Sequence, residues 1–362
     1  MKKIMHYLRE NPIRALLLII PIVILGELLH WSPLLIFILS SLAIIPLAGL
    51  IGESTESLAH YTGPKLGGLL NATLGNAAEL IITIVAIREG LLDLVKASIT
   101  GSIIGNLLLV MGMSMLLGGL KHGTQKFNRR QASNNSILLV LTILILTIPS
   151  LLSHNIGHVE PPDPRVEALS LGVAAVMIIL YGLGLLYSFK SDGGPLTPEQ
   201  PEEPVVHEAW PLRTALVMLA LSTVGVATLS EVLVGAVEPV VESLGISEFF
   251  IGVIFIPIIG NVAEHLVAVQ VAVKNRMTLS VEIAVASSLQ IALFVAPALV
   301  FISLLFGHPL TLAFDAIELI VLIAGVIIAA LVSEDGESNW LEGAELLAIY
   351  IVIGLAFFLL PR

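Results

Sequence analysis

The chain has 362 residues, 56% of them hydrophobic and 12% charged, with a mean hydropathy of +0.98. Soluble domains carry roughly a quarter charged residues, so a soluble globular protein is excluded and an integral membrane protein is implied. The net charge of −11 matters less than where the cations sit, and the absence of Cys excludes disulfides, thiolate metal sites and a catalytic thiol.

Apolar runs of about 20 residues require helices, because barrel strands are ~10 residues long and alternate. Eleven spans are predicted, at roughly 12–30, 33–58, 64–88, 92–118, 132–152, 166–189, 210–237, 248–272, 279–306, 310–332 and 338–361. The first is too long for a signal-peptide core and lacks a small-residue cleavage site, so it is kept as a helix. Breaks fall at Trp31-Ser32-Pro33, Thr62-Gly63-Pro64, Gly307-His308-Pro309 and Asp335-Gly336. Between Lys190 and Ala209 the Pro/Glu-rich run 198–204 cannot bury apolar surface and reads as a flexible linker.

Lys and Arg set the orientation. With the N-terminus inside, thirteen of the seventeen fall in inner segments, and only Arg88, Lys96, Arg165 and Arg362 fall outside. The N-terminus is therefore cytoplasmic and the C-terminus, after eleven crossings, extracytoplasmic. Setting the first span aside leaves five before the linker and five after it. An odd number per half makes the halves antiparallel, an inverted repeat. The predicted division is a leading helix (1–32), a first five-helix repeat (33–190), an acidic cytoplasmic linker (191–209) and a second five-helix repeat (210–362).

The second span of each half carries the same motif. Gly75-Asn76-Ala77-Ala78-Glu79 returns as Gly260-Asn261-Val262-Ala263-Glu264, 185 positions later. Ionisable groups at membrane depth are costly and are read as functional by default, and matched ones in two repeats suggest one shared site. On a helix Asn76, Glu79 and Thr83 share a face, as do Asn261 and Glu264, so amide and carboxylate oxygens can reach one ion. Gly75, Gly260 and Pro257 weaken the helix there, and a local break would expose carbonyls as further ligands. An all-oxygen set suits a hard cation such as Ca²⁺, with Mn²⁺ next. Two carboxylates facing each other in low dielectric cannot both stay ionised and empty, because desolvation and like charge both disfavour the charged form. One Ca²⁺ neutralises them, and so do protons. Mutually exclusive occupancy points to antiport, with Na⁺ an alternative counter-ion by charge alone.

These motifs, with His265 after the second and Lys274-Asn275-Arg276 further on, resemble the cation/proton exchanger branch of the Ca²⁺/cation antiporter superfamily. The likeness spans essentially the whole chain. It implies an all-α polytopic protein with the Na⁺/Ca²⁺ exchanger-like fold, Ca²⁺ efflux driven by a proton gradient, and Glu79 and Glu264 as ion and proton carriers, assisted by Asn76 and Asn261. It also implies that the third spans, with Ser102 and Asn106 in one half and Ser287 and Gln290 in the other, pack beside the motif helices and back the carboxylates. Glu56 and Glu231 fall in the matched first spans that form the gating pair, where they could relay ions. His265 could shuttle protons or bond a neighbour. Thr278 departs from the pattern, where an acid is expected. Asp315 and Glu318, toward a span end, are expected to contact water. The implied partners are Ca²⁺ and H⁺ as substrates and the lipid bilayer, in a prokaryotic cell membrane and as a homo-oligomer, a trimer by resemblance. No organic cofactor and no nucleic acid are implied.

The rivals are weaker. A membrane zinc protease needs His-Glu-x-x-His, which is absent, and ATP-driven pumping needs a Gly-rich phosphate loop, also absent. A channel does not need paired titratable carboxylates. Na⁺/Ca²⁺ exchange is the closest rival in substrate, but motifs of that type carry Ser/Thr and Pro about the acid rather than this Asn.

Overall fold

A computed structural model describes residues 12–156, 163–190 and 209–360; most of the acidic linker lies outside them. The leading helix α1 runs as a 3₁₀ stretch over Pro12–Ile19 and as α-helix over Ile20–Leu28. The first half follows with α2 (Pro33–Leu74), α3 (Ala77–Arg88), α4 (Leu92–His122), α5 (Arg129–Ile156) and α6 (Pro164–Lys190). The second half holds α7 (Leu212–Gly235), a short α8 (Val237–Leu244), α9 (Glu248–Val273), α10 (Met277–Phe306), α11 (Ala316–Val332) and α12 (Trp340–Phe358).

Among the described residues, eight helices are long and apolar enough to cross a membrane. The leading helix, the interrupted Pro64–Arg88 segment and the shorter α11 occupy the other three predicted spans, so eleven crossings are consistent with the structure. The predicted break at Thr62-Gly63-Pro64 appears as a kink within α2. Gly63 sits at φ 81°, ψ 168°, a conformation that a Cβ would strain. The helix then resumes at Pro64, which has no N–H to leave unpaired.

The tenth span differs from expectation. Residues 310–315 are irregular rather than helical, although Leu310, Leu312, Ala313 and Phe314 are buried. Irregular backbone is tolerated at membrane depth only where its polar groups find partners inside the protein. Here serine hydroxyls supply them: Ser303, Ser170 and Ser150 accept from the N–H groups of Leu310, Leu312 and Phe314 at 2.8, 3.1 and 2.8 Å. Helix α11 then starts in a capping box between Asp315 and Glu318.

The halves interlock rather than sit side by side. Helix α2 packs along α7, α4 crosses α9, and the motif helices α3 and α9 touch each other. Glycine makes the α4–α9 crossing possible. A Cβ on Gly252 would meet Ala97 Cβ at 2.6 Å, and one on Gly101 would collide with the Val253 backbone. Gly101, in the third span of the first half, is where this crossing comes closest. On one face the short strands β1 (Gln125–Lys126) and β2 (Glu337–Ser338) join the two halves in antiparallel register.

Candidate cation site between the two motif helices

In the first half the helix is interrupted just before Glu79. Gly75 and Asn76 form a turn between α2 and α3, with Asn76 at φ −95°, ψ 19°. The same break is absent from the second half, where α9 runs as unbroken α-helix through Gly260. There the irregularity lies earlier, in a π-helical stretch over Ile251–Phe255. Pro257 follows with one residue between, and its ring nitrogen cannot donate to the Val253 carbonyl. The helix-break role expected at Gly260 is therefore corrected, and packing gives the reason for the glycine. A Cβ on Gly260 would stand 3.2 Å from Glu79 Cβ, and a Cβ on Gly75 would stand 2.9 Å from Glu264 Oε1. Each motif glycine makes room for the other motif's glutamate.

Glu79 is only 1% exposed. Its Oε1 accepts from the Ser102 hydroxyl, and its Oε2 accepts from Asn261 Nδ2 at 3.2 Å. Asn261 Nδ2 also lies 3.5 Å from Ser102 Oγ. Asn76 turns the other way: its Nδ2 donates to Gln290 Oε1 at 2.9 Å, and its Oδ1 accepts from Ser287 Oγ at 3.4 Å. Ser287 is also within reach of Glu264. Glu264 is half-buried, but its Oε2 is shielded from solvent and accepts no hydrogen bond. Asn261 Oδ1 is likewise a buried acceptor without a donor. Unpaired buried acceptors are expensive, and a hard cation is the ligand that satisfies oxygens of this kind.

The third spans reach the site, but both amides find partners other than those expected. Asn106 and Gln290 do not bond the carboxylates. Asn106 Oδ1 lies 3.2 Å from His265 Nε2, and Gln290 holds Asn76. Both residues fall where the third spans loosen into π-helix, over Gly105–Val110 in α4 and just before Ile291–Val295 in α10. A π-turn re-aims side chains and recurs at functional sites. Thr83, on the face shared with Glu79, donates back to the Glu79 carbonyl at 2.8 Å. Glu56 and Glu231 lie outside this cluster and are exposed. Among the described residues, no group of three or more His, Cys, Asp or Glu converges as a metal cage. The oxygen set is two carboxylates plus amides and hydroxyls.

Some features were not legible from the sequence. Glu318 was expected at water but is 2% exposed, its Oε2 accepting from the Asp315 N–H at 2.8 Å in the capping box. An Asp followed three residues later by Glu before an apolar run was the signal available. Glu282 is also buried, one turn beyond Thr278 on α10, and both line a small cavity with Asn128 and Asn135. Arg88, counted only as an outer charge, bonds Glu231 across the α3–α7 contact.

This interlocked pair of repeats belongs to a known class of membrane protein: residues 32–190 and 214–359 match the family described as sodium/calcium exchanger protein, and the chain is a member of it. Within that family it is 48% identical over 365 residues to a Ca²⁺/H⁺ antiporter of Aphanothece halophytica, covering 96% of each chain. It is 43% identical to the Ca²⁺/H⁺ antiporter ChaA of Bacillus subtilis, over 94% of this chain and 97% of that one. The solved structure of native YfkE superposes with a TM-score of 0.82 at 42% identity, covering 94% of this chain and 97% of that chain.

Proposed function

We propose that this protein is a secondary antiporter that exports Ca²⁺ in exchange for H⁺, with Glu79 and Glu264 carrying both ions in turn. The observation that carries this reading is the pair of buried oxygens without donors, Asn261 Oδ1 and Glu264 Oε2, set beside a second carboxylate on Glu79. Such a set gains its missing partners either from a divalent cation or from protons on the carboxyls, and the two occupancies exclude each other. Asn76 and Asn261 complete the oxygen set. Ser102, Ser287 and Gln290 orient it, and His265 with Asn106 flanks it. Two carboxylates exchanged between one Ca²⁺ and protons imply at least two protons per cycle.

The same reading places the N-terminus in the cytoplasm, the C-terminus outside, and the protein in a prokaryotic cell membrane. It divides the chain into a leading helix (1–32), repeats at 33–190 and 210–362, and a cytoplasmic linker between them. Assembly as a homotrimer is part of the proposal and is checked by mass measurement of the detergent-solubilised protein.

The decisive experiment reconstitutes the protein into vesicles and measures ⁴⁵Ca²⁺ uptake under an imposed pH gradient and, separately, an imposed Na⁺ gradient. Uptake that follows the pH gradient supports H⁺ as the counter-ion. A response to Na⁺ alone overturns the reading in favour of Na⁺/Ca²⁺ exchange, and indifference to both gradients favours a channel.

A further inference from the structure

The matched carboxylates Glu56 and Glu231 are both exposed, yet their surroundings differ. Glu231 on α7 accepts from Arg88 Nη1 at 2.8 Å. Arg88 is the last residue of α3, and its guanidinium is also held by Glu89 at 3.0 and 3.1 Å. The planar fork of an arginine can hold two carboxylates at once. The end of one motif helix is thereby fastened to the long helix that packs beside it.

The second half repeats the packing without the bond. Helix α9 lies along α2 as α3 lies along α7. Glu56 on α2 has no ion pair among the described residues. The position 185 residues beyond Arg88 is Val273, the last residue of α9, and the exposed Lys274 caps it. The cation is thus one residue past the matching position, on the opposite face of an inverted repeat. Lysine is a single point charge on a flexible stem, a weaker clamp than the Arg88 fork.

We propose that Arg88–Glu231 and Glu56–Lys274 form an alternating latch, made at one face of the molecule while open at the other. This rests on the antiport reading, since alternating access in inverted repeats exchanges the conformations of the two halves. Each pair ties a motif helix carrying a site glutamate to its neighbouring long helix, so closing one pair closes one route to the site. Solvent-exposed ion pairs are weak, which suits a contact broken once per cycle. Arg88 acts here as a positioning residue: it touches neither ion, but decides which face the site can reach. The structure holds the state in which the arginine latch is closed.

The chain contains no cysteine, so introduced pairs can be cross-linked without background. In the full-length protein in proteoliposomes, Arg88→Cys with Glu231→Cys is bridged by a bifunctional, reducible thiol reagent that spans the two removed side chains. Linkage is scored by mass spectrometry. The bridged protein is expected to lose at least tenfold of its ⁴⁵Ca²⁺ uptake and to recover it on reduction, whereas a monofunctional reagent costs far less. Glu56→Cys with Lys274→Cys is expected to bridge during turnover and to block uptake in the same reversible way. Unimpeded uptake by the bridged first pair, or failure of the second pair to bridge under any Ca²⁺ or pH condition, overturns the latch. A charge swap guards against misfolding of the cysteine variants: Arg88→Glu slows uptake several-fold and adding Glu231→Arg restores it, and no restoration counts against the proposal. The unmodified protein under a pH gradient is the control, so loss of its uptake tests the antiport reading and not the latch.

Discussion

The two Gly-Asn-x-x-Glu motifs are nearly the same sequence in nearly the same fold, but they are not in the same chemical state. Glu79 sits closed in, with both carboxylate oxygens bonded, one by Ser102 of its own half and one by Asn261 of the other. Glu264 is half-buried, and its Oε2 accepts nothing. The difference traces to the amides. Asn261 turns toward Glu79, whereas Asn76 turns away from Glu264 to Gln290 and Ser287. A symmetric sequence has thus folded into an asymmetric site, with both carboxylate oxygens of one glutamate bonded by the protein and one oxygen of the other left without a donor.

Neutralising the glutamates breaks this comparison most severely. Glu79→Gln and Glu264→Gln are each expected to reduce pH-driven ⁴⁵Ca²⁺ uptake to background, because either leaves one carboxylate to balance a divalent ion. Thermal unfolding separates them. Gln at 79 offers an amide N–H₂ where Asn261 already donates, so the Ca²⁺-free protein should melt lower. Gln at 264 replaces a carboxylate whose Oε2 accepts no hydrogen bond, so the Ca²⁺-free protein should melt no lower than the parent. Both should lose the rise in melting temperature that Ca²⁺ gives a protein it binds, which is about 2.7 kcal/mol at a hundredfold excess over Kd. The pH dependence of Ca²⁺ affinity belongs to the same test. Protonation neutralises the carboxylates, so affinity should fall as pH falls in the parent, and this slope should flatten in either variant. Full uptake by one of them would falsify the assignment of that glutamate.

The glycines come next. A Cβ at position 75 would stand 2.9 Å from Glu264 Oε1 and 2.7 Å from the Asn71 carbonyl, whereas one at 260 would stand 3.2 Å from Glu79 Cβ. The first contact displaces a Glu264 carboxylate oxygen and presses on the Asn71 carbonyl; the second presses on Glu79 at its Cβ and, at 3.3 Å, its Cα, which must give by a few tenths of an ångström. Gly75→Ala is therefore expected to raise the Ca²⁺ concentration for half-maximal uptake about tenfold or more, and Gly260→Ala by a few-fold. Equal effects at the two positions would mean that the glycines matter for helix flexibility and not for the fit of the opposite glutamate.

These two glycines also mark how far the sequence can be read. The repeat, its inversion and the residue types at the site follow from periodicity, charge placement and motif spacing, because a bilayer leaves the backbone few other options. What each motif residue touches does not follow, since the contacts cross between halves separated by more than a hundred residues. Pairing by symmetry would set Asn106 and Gln290 on the carboxylates, and the helices instead deliver them to His265 and Asn76. The matched π-turns in α4 and α10 shift the register of these side chains, and no proline in the 105–110 stretch signals one of them. Burial of Glu318 was hidden for a similar reason. Its span begins later than hydropathy suggests, after an irregular run whose N–H groups donate to serine hydroxyls.

The amides themselves give a finer test. Asn261→Ala removes a hydrogen bond to a carboxylate and an oxygen available to the ion. Hydrogen bonds to charged groups contribute roughly 1.5–3 kcal/mol, so a loss of about 10- to 100-fold in Ca²⁺ affinity is expected. Asn76→Ala removes contacts between neutral groups, which contribute roughly 1 kcal/mol, and should cost about fivefold. The inequality holds as long as the structure shows the state that Ca²⁺ enters. If the halves exchange roles in the other state, Asn76 turns to Glu264 there, and the two variants should become alike when affinity is measured from the opposite face of the membrane.

The smallest effect is expected at His265, which breaks the repeat outright because the matching position in the first half is Leu80. Its Nε2 meets Asn106 Oδ1 at 3.2 Å across the halves, beside Glu264 in sequence but one-quarter turn away on the helix. Two roles fit that position. As a proton relay, His265→Gln should slow H⁺-driven uptake while leaving Ca²⁺ affinity at equilibrium unchanged, since Gln cannot pass a proton at neutral pH. As a brace for α9 against α4, Gln should retain most of the rate by keeping a hydrogen bond to Asn106, whereas His265→Leu, which copies the first half, should lose a few-fold in both rate and affinity. Geometry favours the brace, because the imidazole is directed at an amide and not at either carboxylate. Measuring rate and equilibrium affinity side by side in the two variants decides between them.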